Sequence, residues 1–224
     1  TESGMCGNGL RIAAKFAYEA GHVRERHFPI EVGLPGARRR VAAWVQLHER
    51  TVRRVTIELD PPRFERAAIP MLGAPEASAL DVELDLATLA GQCPVRICGV
   101  GMGNPHAVLF VDELPTDATL QRLGPAIEHH PLFPERTNVS WARCHPRTAT
   151  IDMRVWERGT GETRACGSGA CAVAAAAIRT GRVAGERVRV RPPGGELVVH
   201  WPGGEAPVRL TGPACEVFRG LWSG

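Results

Sequence analysis

Two similar stretches, CGNGLRIAAKFAYEAG at residues 6–21 and CGSGACAVAAAAIRTG at residues 166–181, decide the fold of this chain. Each begins with Cys-Gly-x-Gly and ends at a glycine, and the two copies keep one constant offset from their first residue to their last. Self-similarity at a fixed distance indicates repeated structural units. We therefore predict two domains of like design.

Each copy has the pattern of a helix that begins at the Cys motif. The residues after the glycines are rich in Ala, with larger apolar residues at helical spacing, and the closing glycine suits a left-handed C-terminal cap. From Ala170 onward the second copy is almost entirely small and apolar. This composition predicts a helix that is buried on all sides, as at the centre of a curved sheet.

Most of the remaining chain has the alternating or β-branched pattern of strands. The predicted strands are residues 41–47, 52–59, 95–100, 107–111, 148–156, 188–191 and 196–201. Because these strands do not alternate regularly with helices, a doubly wound nucleotide-binding sheet is disfavoured. The sequence predicts an α+β fold with two pseudo-symmetric domains, each a curved mixed β-sheet, roll-like or barrel-like, around a central α-helix.

The composition is that of a globular chain with a sizeable core: 224 residues, 44% hydrophobic, 23% charged and a formal charge of +3. The sequence shows neither a long apolar run typical of a membrane span nor a signal peptide. These features predict a cytoplasmic protein that does not bind membranes. Dense basic patches occur at residues 38–40 and 50–54, and we expect solvated turns there. They lack the aromatic residues or module that nucleic-acid binding requires.

The seven cysteines do not form a disulfide framework or a zinc site. They lie at positions 6, 93, 98, 144, 166, 171 and 215, with no Cys-x-x-Cys pair. We expect reduced thiols and no metal. Cys93 and Cys98 are predicted to be small buried apolar residues.

The position of the Cys at the start of each predicted helix favours the ionised form of its thiol. A Cys at the start of a helix lies beside unpaired backbone N–H groups and the positive end of the helix dipole, so a lowered thiol pKa is expected. The glycines let a carboxylate approach the same amides. A single Cys at the start of a helix often has only a structural role, so one motif alone does not indicate a function. Two copies that face each other would place two thiols and two sets of amides at one cleft.

Two facing thiols suit inversion at the α-carbon of an amino acid. A thiolate would remove the proton on one face while a thiol delivers a proton to the other. The helix N-termini would stabilise the charge that develops on the adjacent carboxylate. This chemistry needs no cofactor. The chain has no P-loop lysine motif, and its glycine-rich run at 99–104 lacks the third glycine of a dinucleotide fingerprint.

Four motifs in order resemble the diaminopimelate epimerase family over essentially the whole chain. They are MCGNG at 5–9, MGNPH at 102–106, FPERTNV at 133–139, and ERGTGET at 157–163 leading to CGSG at 166–169. The resemblance implies conversion of LL-diaminopimelate to the meso form, in lysine and cell-wall precursor synthesis. It also implies a small amino-acid substrate, no cofactor and a homodimer.

The resemblance assigns roles to individual residues. Cys6 and Cys166 would transfer the protons, and His106 and Glu157 would tune that transfer. Backbone amides would hold the reacting carboxylate, and a further set would bind the rest of the substrate, with Arg158 paired to the distal carboxylate. The amides are those of Gly7, Asn8, Gly167 and Ser168, and the further set is Asn104, Asn138, Glu157 and Arg158. Structural roles are the alternative: a turn former for Asn104, a packed core histidine for His106, and an exposed strand-end pair for Glu157 and Arg158.

The chain departs from the family at its start. Those enzymes carry about seventy residues before the first Cys motif, by comparison of domain size. We therefore expect residues 1–62 to be the remainder of an N-terminal domain, residues 63–211 a C-terminal domain, and residues 212–224 a strand that returns to the first. On this expectation the first half of the site lacks some substrate contacts.

Three other functions compete with this interpretation. A proline or hydroxyproline racemase also carries paired cysteines, but its cyclic substrate has no second carboxylate for Arg158. A thiol redox protein would usually have a closely spaced Cys pair, which is absent. A truncated, non-catalytic binding module is the third alternative.

Overall fold

The computed structural model describes residues 6–34, 37–86, 95–217 and 220. The helices within these ranges are α1 (Gly7–Glu19), α2 (Asp117–Glu128) and α3 (Gly167–Arg179). The strands are β1 (His27–Leu34), β2 (Ala37–His48), β3 (Thr51–Leu59), β4 (Val82–Leu84), β5 (Val95–Gly101), β6 (Pro105–Phe110), β7 (Asn138–His145), β8 (Thr150–Glu157), β9 (Gly161–Thr163), β10 (Arg187–Arg191), β11 (Leu197–His200) and β12 (Val208–Pro213).

The described strands form one long mixed sheet. Its order is β1-β2-β3-β12-β11-β10-β8-β7-β6-β5-β4, and β9 pairs with β8 at the side. The pairs β6/β7 and β8/β10 are parallel, and the other pairs are antiparallel. Helix α3 contacts strands from β5 to β12, so the sheet curves around it. The predicted α+β fold, a curved mixed sheet around a central helix, is confirmed.

The sequence repeat is visible in three dimensions. Strands β1, β2 and β3 follow α1, and β10, β11 and β12 follow α3. The first residues of β10 and β11, Arg187 and Leu197, follow those of β1 and β2 by the same offset that separates the two Cys motifs. The two units meet where β3 pairs antiparallel with β12. At this seam the hydroxyl oxygens of Thr56 and Thr211 lie 2.7 Å apart in a hydrogen bond.

Both helices of the repeat end in the same way. Gly21 and Gly181 have φ angles of 76° and 69°. Their backbone N–H groups donate to Tyr18 O and Ile178 O, each at 3.1 Å. A left-handed conformation is costly for residues with a Cβ, so glycine is the residue that closes a helix this way. The predicted caps are confirmed.

The core lies around α3. Every residue from Ala170 to Ala177 is buried, as the sequence predicted. One hydrophobic cluster extends from Leu10 in α1 to Ala214 and so includes both units of the repeat. A second cluster forms where α2 covers the central strands through Leu120, Leu123 and Ile127.

Two sequence predictions were wrong. The strand that returns to the first unit is Val208–Pro213 and not residues 212–224, because Pro213 cannot donate a ladder hydrogen bond and the strand ends there. Residues 214–217 are not in a strand, and 218–219 and 221–224 lie outside the described residues. Residues 38–40 belong to β2, and residues 53–54 to β3, rather than to turns. The division into domains stays a prediction.

Cys98 is buried as predicted, whereas Cys93 lies outside the described residues. None of the helices in the described ranges has the length and hydropathy that a membrane crossing requires.

Candidate functional site

Cys6 and Cys166 cap their helices with nearly the same geometry. Their φ/ψ angles are −119°/104° and −124°/116°, both extended. Each sulfur accepts a hydrogen bond from the backbone N–H three residues later, Gly9 N or Gly169 N, at 3.4 Å. A thiol therefore takes the place that a Ser or Asp side chain usually holds at an N-cap.

The first turns of α1 and α3 abut. A Cβ built on Gly167 would lie 3.5 Å from Gly7 Cα, and one built on Gly7 would lie 3.7 Å from Gly167 Cα. Both hypothetical Cβ atoms would also meet the Leu210 side chain of β12, at 3.3 Å from Gly7 and 3.1 Å from Gly167. A Cβ at either position would be in ordinary van der Waals contact with the other helix start, and the Leu210 side chain would have to shift by a few tenths of an ångström.

A chain of hydrogen bonds leads from Cys166 into the sheet. The Cys166 sulfur and the Ser168 hydroxyl are 3.5 Å apart, and Asn104 Nδ2 donates to Ser168 Oγ at 3.5 Å. Asn104 Oδ1 lies 3.0 Å from His106 Nε2. The predicted site residues of β6 and α3 are therefore brought together in one network.

Burial, together with the nearby Glu157 carboxylate, raises the pKa of the Cys166 thiol to about 11. Hydrogen bonds from Ser168 and Gly169 N oppose this effect without cancelling it. The expectation of a lowered thiol pKa is wrong for Cys166, because the loss of hydration outweighs the helix terminus. Glu157 is itself held by a hydrogen bond from the Thr163 hydroxyl.

His106 is neutral. Complete burial, with a smaller contribution from Arg158, lowers its pKa to about 3. Since the Asn104 oxygen can only accept, His106 Nε2 carries the proton, and Nδ1 is buried without a hydrogen-bond partner among the described residues. His106 orients Asn104, and within the described ranges it has no direct hydrogen bond to a thiol.

Asn138 fixes the loop that carries Arg158. Its Oδ1 accepts from Arg158 N at 3.0 Å, and its Nδ2 donates to Pro105 O at 2.8 Å. The Arg158 guanidinium donates to Glu135 O at 2.9 Å. Backbone groups thus use half of the hydrogen-bonding capacity of the Asn138 side chain, one of its two donors and one of its two acceptor sites.

Sequence reasoning missed two buried charged residues, Arg11 and Glu128. Glu128 lies in α2 and accepts from Trp156 Nε1 at 2.7 Å and from Gly159 N at 2.8 Å, so it supports the turn after Arg158. Arg11 lies in the first turns of α1 and is only 6% exposed. The helical pattern gave no signal for either, because it does not separate a buried charge from a solvated one.

Cavity size alone would misplace the site. Between the helix starts, a cavity of about 20 Å³ is lined by Gly7, Arg39 and Ser168 among others. A much larger cavity of about 640 Å³ lies on the outer face of α1, beside Ile12 and Phe16 and away from Cys166. Among the described residues, no group of three or more His, Cys, Asp or Glu side chains is placed to hold a metal.

Comparison with solved structures defines the class of the fold. A probable proline racemase from Agrobacterium radiobacter K84, solved with bound carbonate, matches with a TM-score of 0.67. The match covers 94% of this chain and 65% of that chain at 17% identity, so it establishes the fold alone. The chain has the fold of the racemases and epimerases.

Sequence comparison then identifies the family. The family model described as "Diaminopimelate epimerase" matches residues 98–216. Diaminopimelate epimerases from Desulforudis audaxviator and Geobacillus kaustophilus are each 43% identical to this chain. The alignments cover 99% of the chain in both cases, and 75% and 73% of those relatives. The chain belongs to the diaminopimelate epimerase family and is an isomerase, as the four motifs indicated.

Proposed function

We propose that this protein interconverts LL- and meso-diaminopimelate by proton transfer between two cysteines. The observation that carries the proposal is the pair of matched Cys caps on two helix starts that abut through Gly7 and Gly167. Family membership supports the substrate, and the geometry supports the reaction type.

In the proposed step, one sulfur acts as base and the other as acid. A thiolate takes the α-proton from one face of the substrate carbon and becomes a thiol. The second thiol gives its proton to the opposite face and becomes a thiolate, so one proton is lost and one gained. A return of a proton between the sulfurs through solvent restores the starting form.

The two helix starts supply the charge stabilisation. Removing the α-proton places negative charge on the adjacent carboxylate, and the backbone N–H groups of Gly7, Asn8, Gly167 and Ser168 belong to the first turns that meet there. These donors are fixed before the reaction, so little reorganisation is needed as charge develops. No step requires a cofactor.

Arg158 is proposed to bind the distal carboxylate, in exchange for its hydrogen bond to Glu135 O. Asn138 supports this role because it holds the backbone of Arg158 from a buried position. Asn104 and Glu157 complete the proposed substrate contacts beside Cys166. His106 is proposed to act through Asn104.

We further propose that the enzyme works in the cytoplasm, where thiols stay reduced, and as a homodimer.

Exchange of the substrate α-proton tests the proposal. Incubated with LL-diaminopimelate in deuterated water under reducing conditions, the protein should incorporate deuterium and produce the meso isomer, and Cys166→Ala should not produce the meso isomer. A parallel incubation with L-proline serves as the competing substrate. Exchange with proline but not with diaminopimelate would replace the proposal by the proline racemase alternative.

A further inference from the structure

The Arg11 side chain turns back along α1 toward Cys6. Its Nη2 donates to Asn8 Oδ1 at 2.9 Å, and its Nη1 donates to Gly7 O at 3.3 Å. Gly7 and Asn8 are the first two residues after Cys6. The guanidinium therefore lies at the start of the helix and not out in solvent.

This cation is buried. Arg11 is 6% exposed, and its Nε is buried with no hydrogen-bond partner among the described residues. A Cβ on Gly212 of β12 would lie 2.9 Å from that Nε, so the strand covers it closely. The hydrogen bonds that its guanidinium makes to described residues go to a backbone carbonyl and an amide oxygen, neither of which carries a charge. An unpaired buried charge is costly and favours an anion nearby.

The repeat shows what Arg11 adds. The matching position in the second copy is Cys171, so one half of the site has a cation where the other has a neutral side chain. Complete burial raises the pKa of Cys171, which keeps that thiol protonated. Arg11 interacts electrostatically with the anionic forms of Cys171 and Cys6. Of these two cysteines, Cys171 is buried and Cys6 is exposed.

Cys166 has the opposite surroundings. It is 6% exposed, and its charged neighbour is the Glu157 carboxylate, which disfavours a second negative charge. The other ionisable groups around the two helix starts come from several elements. They are Arg39 of β2 with its ion-pair partner Asp60 after β3, the neutral His106 of β6, Arg158 after β8, and the exposed Glu196, which lines a cavity with Arg11.

We propose that Arg11 is a positioning residue that makes Cys6 the thiolate and leaves Cys166 the thiol in the free enzyme. The inference rests on the proposed two-cysteine function, which it deepens by assigning the resting base and the resting acid. In the Cys6 thiolate form the enzyme accepts the stereoisomer whose α-proton faces Cys6. After that turnover, the proton on Cys6 must return to Cys166 before the same isomer can react again.

A pH–rate profile cannot test this assignment. The form with Cys6 ionised and the form with Cys166 ionised bind the same number of protons, so their ratio does not change with pH. Each thiol has to be titrated while the other is absent. Thiolate absorbance in the ultraviolet provides that readout, with Cys6→Ser/Cys166→Ser as the baseline for the remaining cysteines.

The titration of Cys6 in Cys166→Ser is expected to have its midpoint at least about 1 pH unit below that of Cys166 in Cys6→Ser. Adding Arg11→Met to Cys166→Ser should raise the Cys6 midpoint by about 1 pH unit, because the apolar side chain removes the cation. Arg11→Lys in the same background should leave the midpoint within about 0.5 unit. Arg11→Gln is the second neutral variant if Arg11→Met does not fold.

Equal midpoints, or a lower one for Cys166, would overturn the inference. So would a Cys6 midpoint that does not move when Arg11 becomes neutral in a folded protein. The thiol titrations do not test whether the protein is an epimerase, which α-proton exchange tests. Equal titration midpoints for Cys6 and Cys166, in a protein that exchanges the α-proton, would contradict only the role of Arg11 and leave the enzyme activity supported. Different midpoints in a protein that does not exchange the α-proton would support the role of Arg11 and contradict the enzyme activity.

Discussion

The units that begin with α1 and α3 have the same helix starts in different surroundings. The capping cysteines share one extended backbone conformation and one hydrogen-bonding pattern. Yet Ile12 and Phe16 of α1 are 62% and 63% exposed, whereas Ala172 and Ala176, at the matching positions of α3, are fully buried. The first turn is therefore the part of the repeat that stays constant. The remainder of each helix follows its own packing.

The chemistry of the site constrains the first turn of each helix, whereas packing against the sheet constrains the residues beyond it. In both units the first turn offers backbone N–H groups to an anion and a capping thiol to exchange a proton, so the same residue types recur there. Side chains beyond the first turn only have to match the sheet that covers them, and α3 is covered from β5 to β12. The pair Arg11 and Cys171 lies between these two regions, and the symmetry of the site is broken there.

Removal of either capping thiol should have the largest effect. Cys6→Ala and Cys166→Ala should each lower turnover of LL-diaminopimelate by at least about 10²-fold to 10⁴-fold, because inversion needs an acid and a base on opposite faces. Circular dichroism and a thermal midpoint verify folding. Cys144→Ala, a thiol outside the site, is the matched control and should keep wild-type turnover. A large effect from only one of the two caps would show that the halves are not equivalent in catalysis.

Arg158→Lys should have the next largest effect. A lysine ammonium cannot reproduce the two-point contact of a guanidinium with a carboxylate. We expect kcat/KM to fall roughly 10-fold to 100-fold, mostly through KM, as for loss of a hydrogen bond to a charged group. Arg143→Lys, on the exposed side of β7, is the control for the substitution itself. Unchanged kinetics would indicate a substrate without a distal carboxylate.

Enlarging a buried alanine of α3 tests the difference in packing. Ala176→Leu should lower the free energy of unfolding by about 1–3 kcal/mol, because the side chain has no free space around it. Ala13→Leu, on an exposed face of α1, should change it by no more than about 0.5 kcal/mol. Urea denaturation of both variants measures the two values. Equal losses would mean that the two helices are equally enclosed.

The effect of His106 should appear as a pH dependence of stability. Its pKa is about 3 in the folded protein and about 6.5 when unfolded, so the unfolded chain binds the proton first. The stability from neutral His106 is therefore complete above about pH 6.5 and is lost as the pH falls toward about 3. Between pH 7 and pH 5 the wild type should lose roughly 2 kcal/mol more than His106→Gln in urea denaturation. A difference near zero would show that His106 is not held neutral.

The sequence predicted the repeat helices and several strands because their patterns are continuous. It missed α2, where Gly124 and Pro125 interrupt the helical pattern although Thr116 caps the start. It also missed β1, which contains Pro29 and Gly33. These elements are stabilised by tertiary contacts that local propensity does not encode.

At the site, residue types and spacing predicted which side chains come together around Cys166. They could not predict that Asn138 binds backbone on both sides of its amide, or that burial raises the pKa of Cys166. Both properties depend on how deeply a residue lies in the fold. Arg11 was missed for the same reason, since a helical pattern does not show that a charged residue is enclosed by a strand from the other end of the chain.

The Leu210 side chain touches the positions where both helix starts would carry a Cβ. It comes from β12 and has no counterpart in the Cys-Gly-x-Gly motif. An aliphatic residue that neither exchanges a proton nor binds charge therefore packs against both halves of the site. Two copies of a motif supply the reacting groups, and one side chain outside the motif contacts the first turn of each helix.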